Sequence, residues 1–184
     1  MLFNLFGKKR KEEISKLFKD KVYINNEGKM NACVQLAKEH KDAIFLAWFN
    51  CTRDSYQLYF IQNDIDPKRV IAADMMTPEI LEKNIPVFLE HHPLLAKEEA
   101  LTTNWLLSDI WVFSAMDEPL FKHFGSDKMI PLIKLFGMKE NEAIEHSYVT
   151  ESILKGQHKI AAKVFDEQQA ISQAEWMDKN MKTA

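Results

Sequence analysis

Ala43-Ile44-Phe45-Leu46-Ala47-Trp48-Phe49 is a run of seven apolar residues without polar alternation. Such a run reads as a strand buried on both faces. Upstream, Val22-Tyr23-Ile24 is a short apolar run, and over 27–40 Met30, Cys33, Val34, Leu36 and Ala37 recur at helical spacing. Downstream, Thr52 to Asn63 predicts a helix and Val70-Ile71-Ala72-Ala73 a strand. Thr77-Pro78 then opens a helix with an N-cap hydroxyl and a proline at its first position. Ile85-Pro86-Val87-Phe88-Leu89 is the next strand, and its proline, which cannot donate to a ladder, predicts a place at the sheet edge. A helix from Pro93 to about Leu107 leads to Ile110-Trp111-Val112-Phe113. Four or five short strands alternating with helices predict an α/β fold with a parallel sheet covered on both faces.

Helices alone follow. Asp117-Glu118-Pro119 caps one that stops at Gly125, and Ser126 caps another that stops at Gly137, each glycine falling where a left-handed C-cap belongs. Past the polar link 139–142, the stretch from about Tyr148 to Asn180 contains no proline and a single glycine, Gly156. Val149, Ile153, Ile160, Val164 and Ile171 form one stripe along it. About 33 helical residues would make a rod of about 50 Å, longer than the roughly 35–40 Å of the globule beneath. The expectation is therefore a long C-terminal helix whose far end, with Trp176, Met177 and Met181, overhangs the domain and binds a protein partner or a second copy.

Composition narrows the function classes. A formal net charge of −3 gives no general basic surface, so nucleic acid is not an expected partner. Two cysteines, Cys33 and Cys51, provide neither a disulfide framework nor a C-x-x-C site, which fits a reducing cytoplasm. No apolar run reaches the roughly 18 residues of a spanning helix. At the amino terminus Leu2, Phe3, Leu5 and Phe6 precede the basic residues Lys8, Lys9, Arg10 and Lys11, the reverse of the order in a secretory signal. Residues 1–20 read as an amphipathic lead in which those eight side chains could meet an anionic membrane surface.

Residues 110–166 carry a family resemblance. Phe124-Gly125-Ser126-Asp127, Gly137-Met138-Lys139-Glu140, Glu142-Ala143-Ile144-Glu145-His146, Val149-Thr150, Ile153, Gln157-His158-Lys159 and Phe165-Asp166 occur in that order, preceded by Trp111-Val112-Phe113-Ser114 and Asp117-Glu118-Pro119-Leu120. The series resembles the preprotein translocase motor SecA, the ATPase of bacterial protein export, at the end of its second nucleotide-binding-fold domain and the start of its helical scaffold. Phe136 stands where that family usually has leucine. The short amphipathic segment Met1 to Lys9 is also similar to the family's amino terminus, which implies contact with acidic lipid and the channel. The resemblance implies a helicase-like, P-loop-NTPase-related, Rossmann-like domain over 21–138 and a scaffold-like helix over 139–184.

The family's nucleotide chemistry has no counterpart in these residues. Its Q-x-x-G-R-x-G-R-x-G segment brings arginines to ATP phosphates, whereas the five glycines here are Gly7, Gly28, Gly125, Gly137 and Gly156 and the arginines Arg10, Arg53 and Arg69. Neither Gly7-Lys8 nor Gly28-Lys29 has the flanking residues of a phosphate loop. The expectation is a non-catalytic SecA-like protein that binds other proteins beside the export machinery, needs no cofactor or metal, binds no nucleotide specifically, and lies in the cytoplasm or peripherally at the inner face of the cytoplasmic membrane.

No catalytic residues stand out. Glu90-His91-His92 suggests a metal, but successive side chains at a strand end point apart, so three cannot converge on one ion. Glu145-His146 reads as a structural turn into the scaffold helix, and Asp54, Ser55 and Ser114 have no histidine at a triad spacing. One alternative is a small-ligand or enzyme site at the carboxyl ends of the strands, lined by Asn50, Asp74 and Ser114. Another is a remnant with no export role.

Overall fold

A computed structural model describes residues 17–181. Five strands, β1 (Phe18–Tyr23), β2 (Ala43–Ala47), β3 (Val70–Ala72), β4 (Ile85–Phe88) and β5 (Ile110–Ala115), form one parallel sheet in the order β1-β5-β4-β2-β3. The α/β parallel sheet expected from the alternation is the one observed, and it is consistent with the Rossmann-like domain that the resemblance implies. In β2, Ala43, Phe45 and Ala47 enter one core while Ile44 and Leu46 enter the other. That two-residue period is what an uninterrupted apolar strand needs when both faces are covered. Helices α1 (Asn26–Glu39) and α2 (Asn50–Gln62) cover the first face with Cys33, Ala37, Tyr56 and Phe60. The short α3 (Pro78–Leu81) and α4 (Leu95–Thr102) cover the other, where Phe88 stacks between Trp48 and Trp105 at 5.4 and 5.9 Å.

The amino-terminal lead was expected to extend to residue 20, but Phe18 already starts β1, which pairs with Ile110 to Ala115. Pro86 corrects a second expectation, because β4 lies inside the sheet. Its odd residues bond β2, as Ile85 N to Asp42 O (2.9 Å) and Leu89 N to Leu46 O (2.8 Å) show. The Pro86 nitrogen therefore faces β5, and pairing with β5 begins only at Val87. A proline is tolerated there because no ladder bond is asked of it.

Beyond the carboxyl ends of the strands, α5 (Pro119–His123), α6 (Ile130–Leu135), α7 (Ser147–Ala161) and α8 (Gln173–Met181) build a third cluster around Leu120, Ile153, Ile160 and Trp176. Gly125 (φ 85°) and Gly137 (φ 86°) have the left-handed backbone expected of them. Ser126 does not cap a helix, since its hydroxyl donates to Met116 O. Before α7 the chain adds Ile144 antiparallel to Val22, through bonds of 3.2 and 2.8 Å, on the free side of β1. His146 then caps α7, its Nδ1 accepting from Tyr148 N at 3.2 Å.

The single long C-terminal helix is not observed. Helix α7 ends at Ala161 and the chain returns through 162–172 to α8. Trp176 and Met177 are buried against the domain and Met181 packs on the same cluster, so the overhang that motivated a partner-binding role for Trp176, Met177 and Met181 does not exist. Intrinsic propensity favoured a continuous rod, but burying an indole outweighs it. The return is tied by Trp176 Nε1 donating to Glu167 (3.0 Å), and by Asn180, which accepts from Gln168 N (2.8 Å) and donates to its carbonyl (3.0 Å).

Candidate functional site

Strand β2 leads towards β3 on one side and β4 leads towards β5 on the other, so the sheet reverses direction between β2 and β4. A crevice outside the carboxyl ends at such a switch point is where α/β sheets place ligands. Here it holds a cavity of about 270 Å³ built from the ends of four strands. Lys29 comes from α1 after β1, Thr52 and Tyr56 from α2 after β2, Glu90 from the loop after β4, and Asp117 and Glu118 from the turn after β5. Gln173 at the start of α8 closes one side.

Lys29 is 2% exposed and lies on the buried stripe of α1, one turn before Cys33 and two before Ala37. Its Nζ donates to Leu89 O (2.7 Å) and to Glu118 Oε1, and lies 5.4 Å from the Tyr56 ring centroid. Glu118 Oε1 also accepts from Ala115 N (3.0 Å), while Oε2 is buried with no partner among the described residues. Burial raises the Glu118 carboxyl above its usual range, against the opposing effect of Lys29. Glu90 accepts from Phe49 N (3.3 Å) and Thr52 Oγ1 (2.9 Å), and burial pushes it up to about 7 even though Lys29 opposes that shift. Burial likewise drives the Cys33 thiol up to about 12, so it is a packing residue and no nucleophile.

A sealed polar network adjoins the cavity. His91 donates from Nε2 to Asp20 (2.7 Å) and from Nδ1 to Glu98 Oε1 (2.9 Å), so it is an imidazolium held between two carboxylates. Burial opposes that charge, but Glu98 and Asp20 outweigh it and lift the imidazole well above its ordinary range. Glu98 also accepts from His92 N (2.7 Å) and Gln157 Nε2 (3.1 Å). Gln173 donates to His91 O (3.0 Å) and accepts from Leu120 N (2.9 Å). Burial lowers the pKa of His92, which accepts from Leu94 N (3.0 Å) and packs edge-on to Trp176. This arrangement ties the loop after β4 to α7 through Gln157 and to α8 through Gln173, while Asp20 Oδ2 and Gln157 Oε1 are buried with no partner among the described residues.

Glu90, His91 and His92 therefore diverge, as expected of adjacent residues at a strand end. Among the described residues no group of three or more His, Cys, Asp or Glu side chains could hold a metal ion, and no helix is long and apolar enough to cross a membrane. Asn50 and Asp74 are exposed after β2 and β3, Ser114 is buried within β5, and none of the three lines the cavity. Leu2, Phe3, Leu5, Phe6, Lys8, Lys9, Arg10 and Lys11 lie outside the described residues. Lys29 and Glu118 were not read as site residues. The signal for Lys29 was its place on the apolar stripe of α1, whereas Glu118 read only as a helix-capping acid.

No family model matches the chain. A 54-residue segment, 29% of the chain, is 46% identical to protein translocase subunit SecA of Acidithiobacillus ferrooxidans and 41% identical to those of Ehrlichia canis and Methylococcus capsulatus. The segment amounts to 6% of the length of each of these relatives. Over that segment, the chain is related to the translocase subunit SecA.

Proposed function

We propose that the chain is a non-catalytic, cytoplasmic relative of SecA that acts by binding proteins in preprotein translocation. The 54-residue similarity carries this reading. Leu132, Leu135 and Phe136 on and after α6, and Tyr148 at the start of α7, are exposed apolar side chains suited to a protein contact. The absence of phosphate-loop and arginine-glycine motifs from the sequence, together with a switch-point crevice lined by carboxylates, supports a role without ATP turnover. The amphipathic residues 2–11 add peripheral attraction to anionic lipid. Photo-crosslinkers placed at Leu135 and Tyr148 in native cells test the reading. It expects adducts with translocase components or exported precursors, and adducts with neither would overturn it. Vesicle co-sedimentation with and without residues 1–11 tests the lipid contact, and equal sedimentation would remove it.

The cavity at the switch point favours a second reading, a small-ligand site at the carboxyl ends of the strands. A ligand present at about a hundred times its dissociation constant would stabilise the fold by roughly 2.7 kcal/mol. A thermal-shift screen with no stabilising compound would count against this reading.

A further inference from the structure

We infer that the switch-point cavity binds a small organic cation through N–H groups that bond Glu118 and Asp117. The inference deepens the ligand-site reading above and rests on it. Among the described residues, three carboxyls, Glu90, Asp117 and Glu118, line the cavity with a single cation, Lys29. That cation is already engaged by Leu89 O and Glu118 Oε1. Glu118 is 8% exposed, yet its Oε2 has no partner among the described residues, and Asp117 Oδ1 is likewise buried and unpartnered. A buried carboxylate oxygen left without a donor costs free energy, and it can only accept a bond. The missing complement is thus a donor.

Charge selects among donors. A phosphate or carboxylate ligand would meet at least two carboxylates with no free cation among the described residues to offset them, whereas an ammonium or guanidinium gains both hydrogen bonds and Coulomb attraction. The hydrogen bonds distinguish these ions from a quaternary ammonium, which has no N–H. The volume of about 270 Å³ admits a molecule the size of one long side chain. Thr52, Tyr56 and Gln173 provide the neutral wall against which an aliphatic stem would lie.

Calorimetric titration of the full chain with agmatine and putrescine tests this, with 1,4-butanediol, tetramethylammonium and succinate as controls. The expected result is one-to-one binding of agmatine or putrescine and none of the controls. Binding should weaken by about tenfold or more in Asp117→Asn and Glu118→Gln, in line with loss of a charge-assisted bond. Asp117 is only partly buried and its Oδ1 has no partner among the described residues, so Asp117→Asn remains informative if Glu118→Gln fails to fold. Equal binding of butanediol, or cation binding unchanged in Asp117→Asn, would overturn the inference. Succinate binding that is lost in Lys29→Gln would overturn the cation and retain the ligand site, and silence from every probe would overturn both.

Discussion

Glu90 tests the electrostatics of the crevice at a single residue. Its folded pKa of about 7 lies above the ordinary 4.5, so the folded state holds the proton more tightly. The resulting stability is complete below about pH 4.5 and is lost as pH rises through 7, by roughly 3 kcal/mol in all. Glu90→Gln keeps acceptance from Phe49 N and a bond to Thr52 but cannot ionise. Its melting temperature should match wild type near pH 5 and exceed it increasingly toward pH 8, and parallel curves would show that Glu90 is ionised throughout. At His91, Gln substitution leaves Asp20 and Glu98 buried without their cation, a loss expected to cost about 3–5 kcal/mol in chemical denaturation. A loss under about 1 kcal/mol would mean that the triad is not charged. Adjacency in sequence revealed that residues 90–92 diverge, but their partners stand at 20, 52, 98 and 157, and no local pattern could pair them.

At the scale of elements, β2 to β5 were legible as short apolar runs with turn or helix signals around them, whereas β1 was legible only at Val22 and Tyr23 because Lys19, Asp20 and Lys21 interrupt its apolar pattern. Errors came where a tertiary contact decides. Pro86 looked like an edge residue because a ladder needs donors, yet the start of β4 asks none of it toward β5. The break between α7 and α8 has no proline or glycine to announce it, since 162–172 turns in order to return Trp176 to the domain. Trp176→Ala should cost about 3–5 kcal/mol, lowering the melting temperature by roughly 6–20 °C for a chain of this size. Truncation after Gln169 should cost more, because it also removes the Gln173 bonds to His91 and Leu120. Light scattering should show unchanged mass in both variants. A changed mass with little loss of melting temperature would restore α8 as a binding surface.

For the whole molecule, residues 110–166 run from β5, the last strand of the parallel sheet, into helices that pack beyond the strand ends, beside the place where such sheets receive ligands. The resemblance to SecA was legible from residues 110–166, because its motifs are short and local. The carboxylates that line the crevice instead come from two strand ends, Glu90 after β4 and Asp117 and Glu118 after β5, and only the fold brings them together. The central claim is that this SecA-related chain works without ATP. Calorimetric titration of magnesium-ATP into the purified protein, with a parallel assay of phosphate release, tests it most directly. The account predicts no saturable heat and no turnover that survives repurification; stoichiometric ATP binding, or hydrolysis that persists through repurification and is lost in Lys29→Gln, would contradict it.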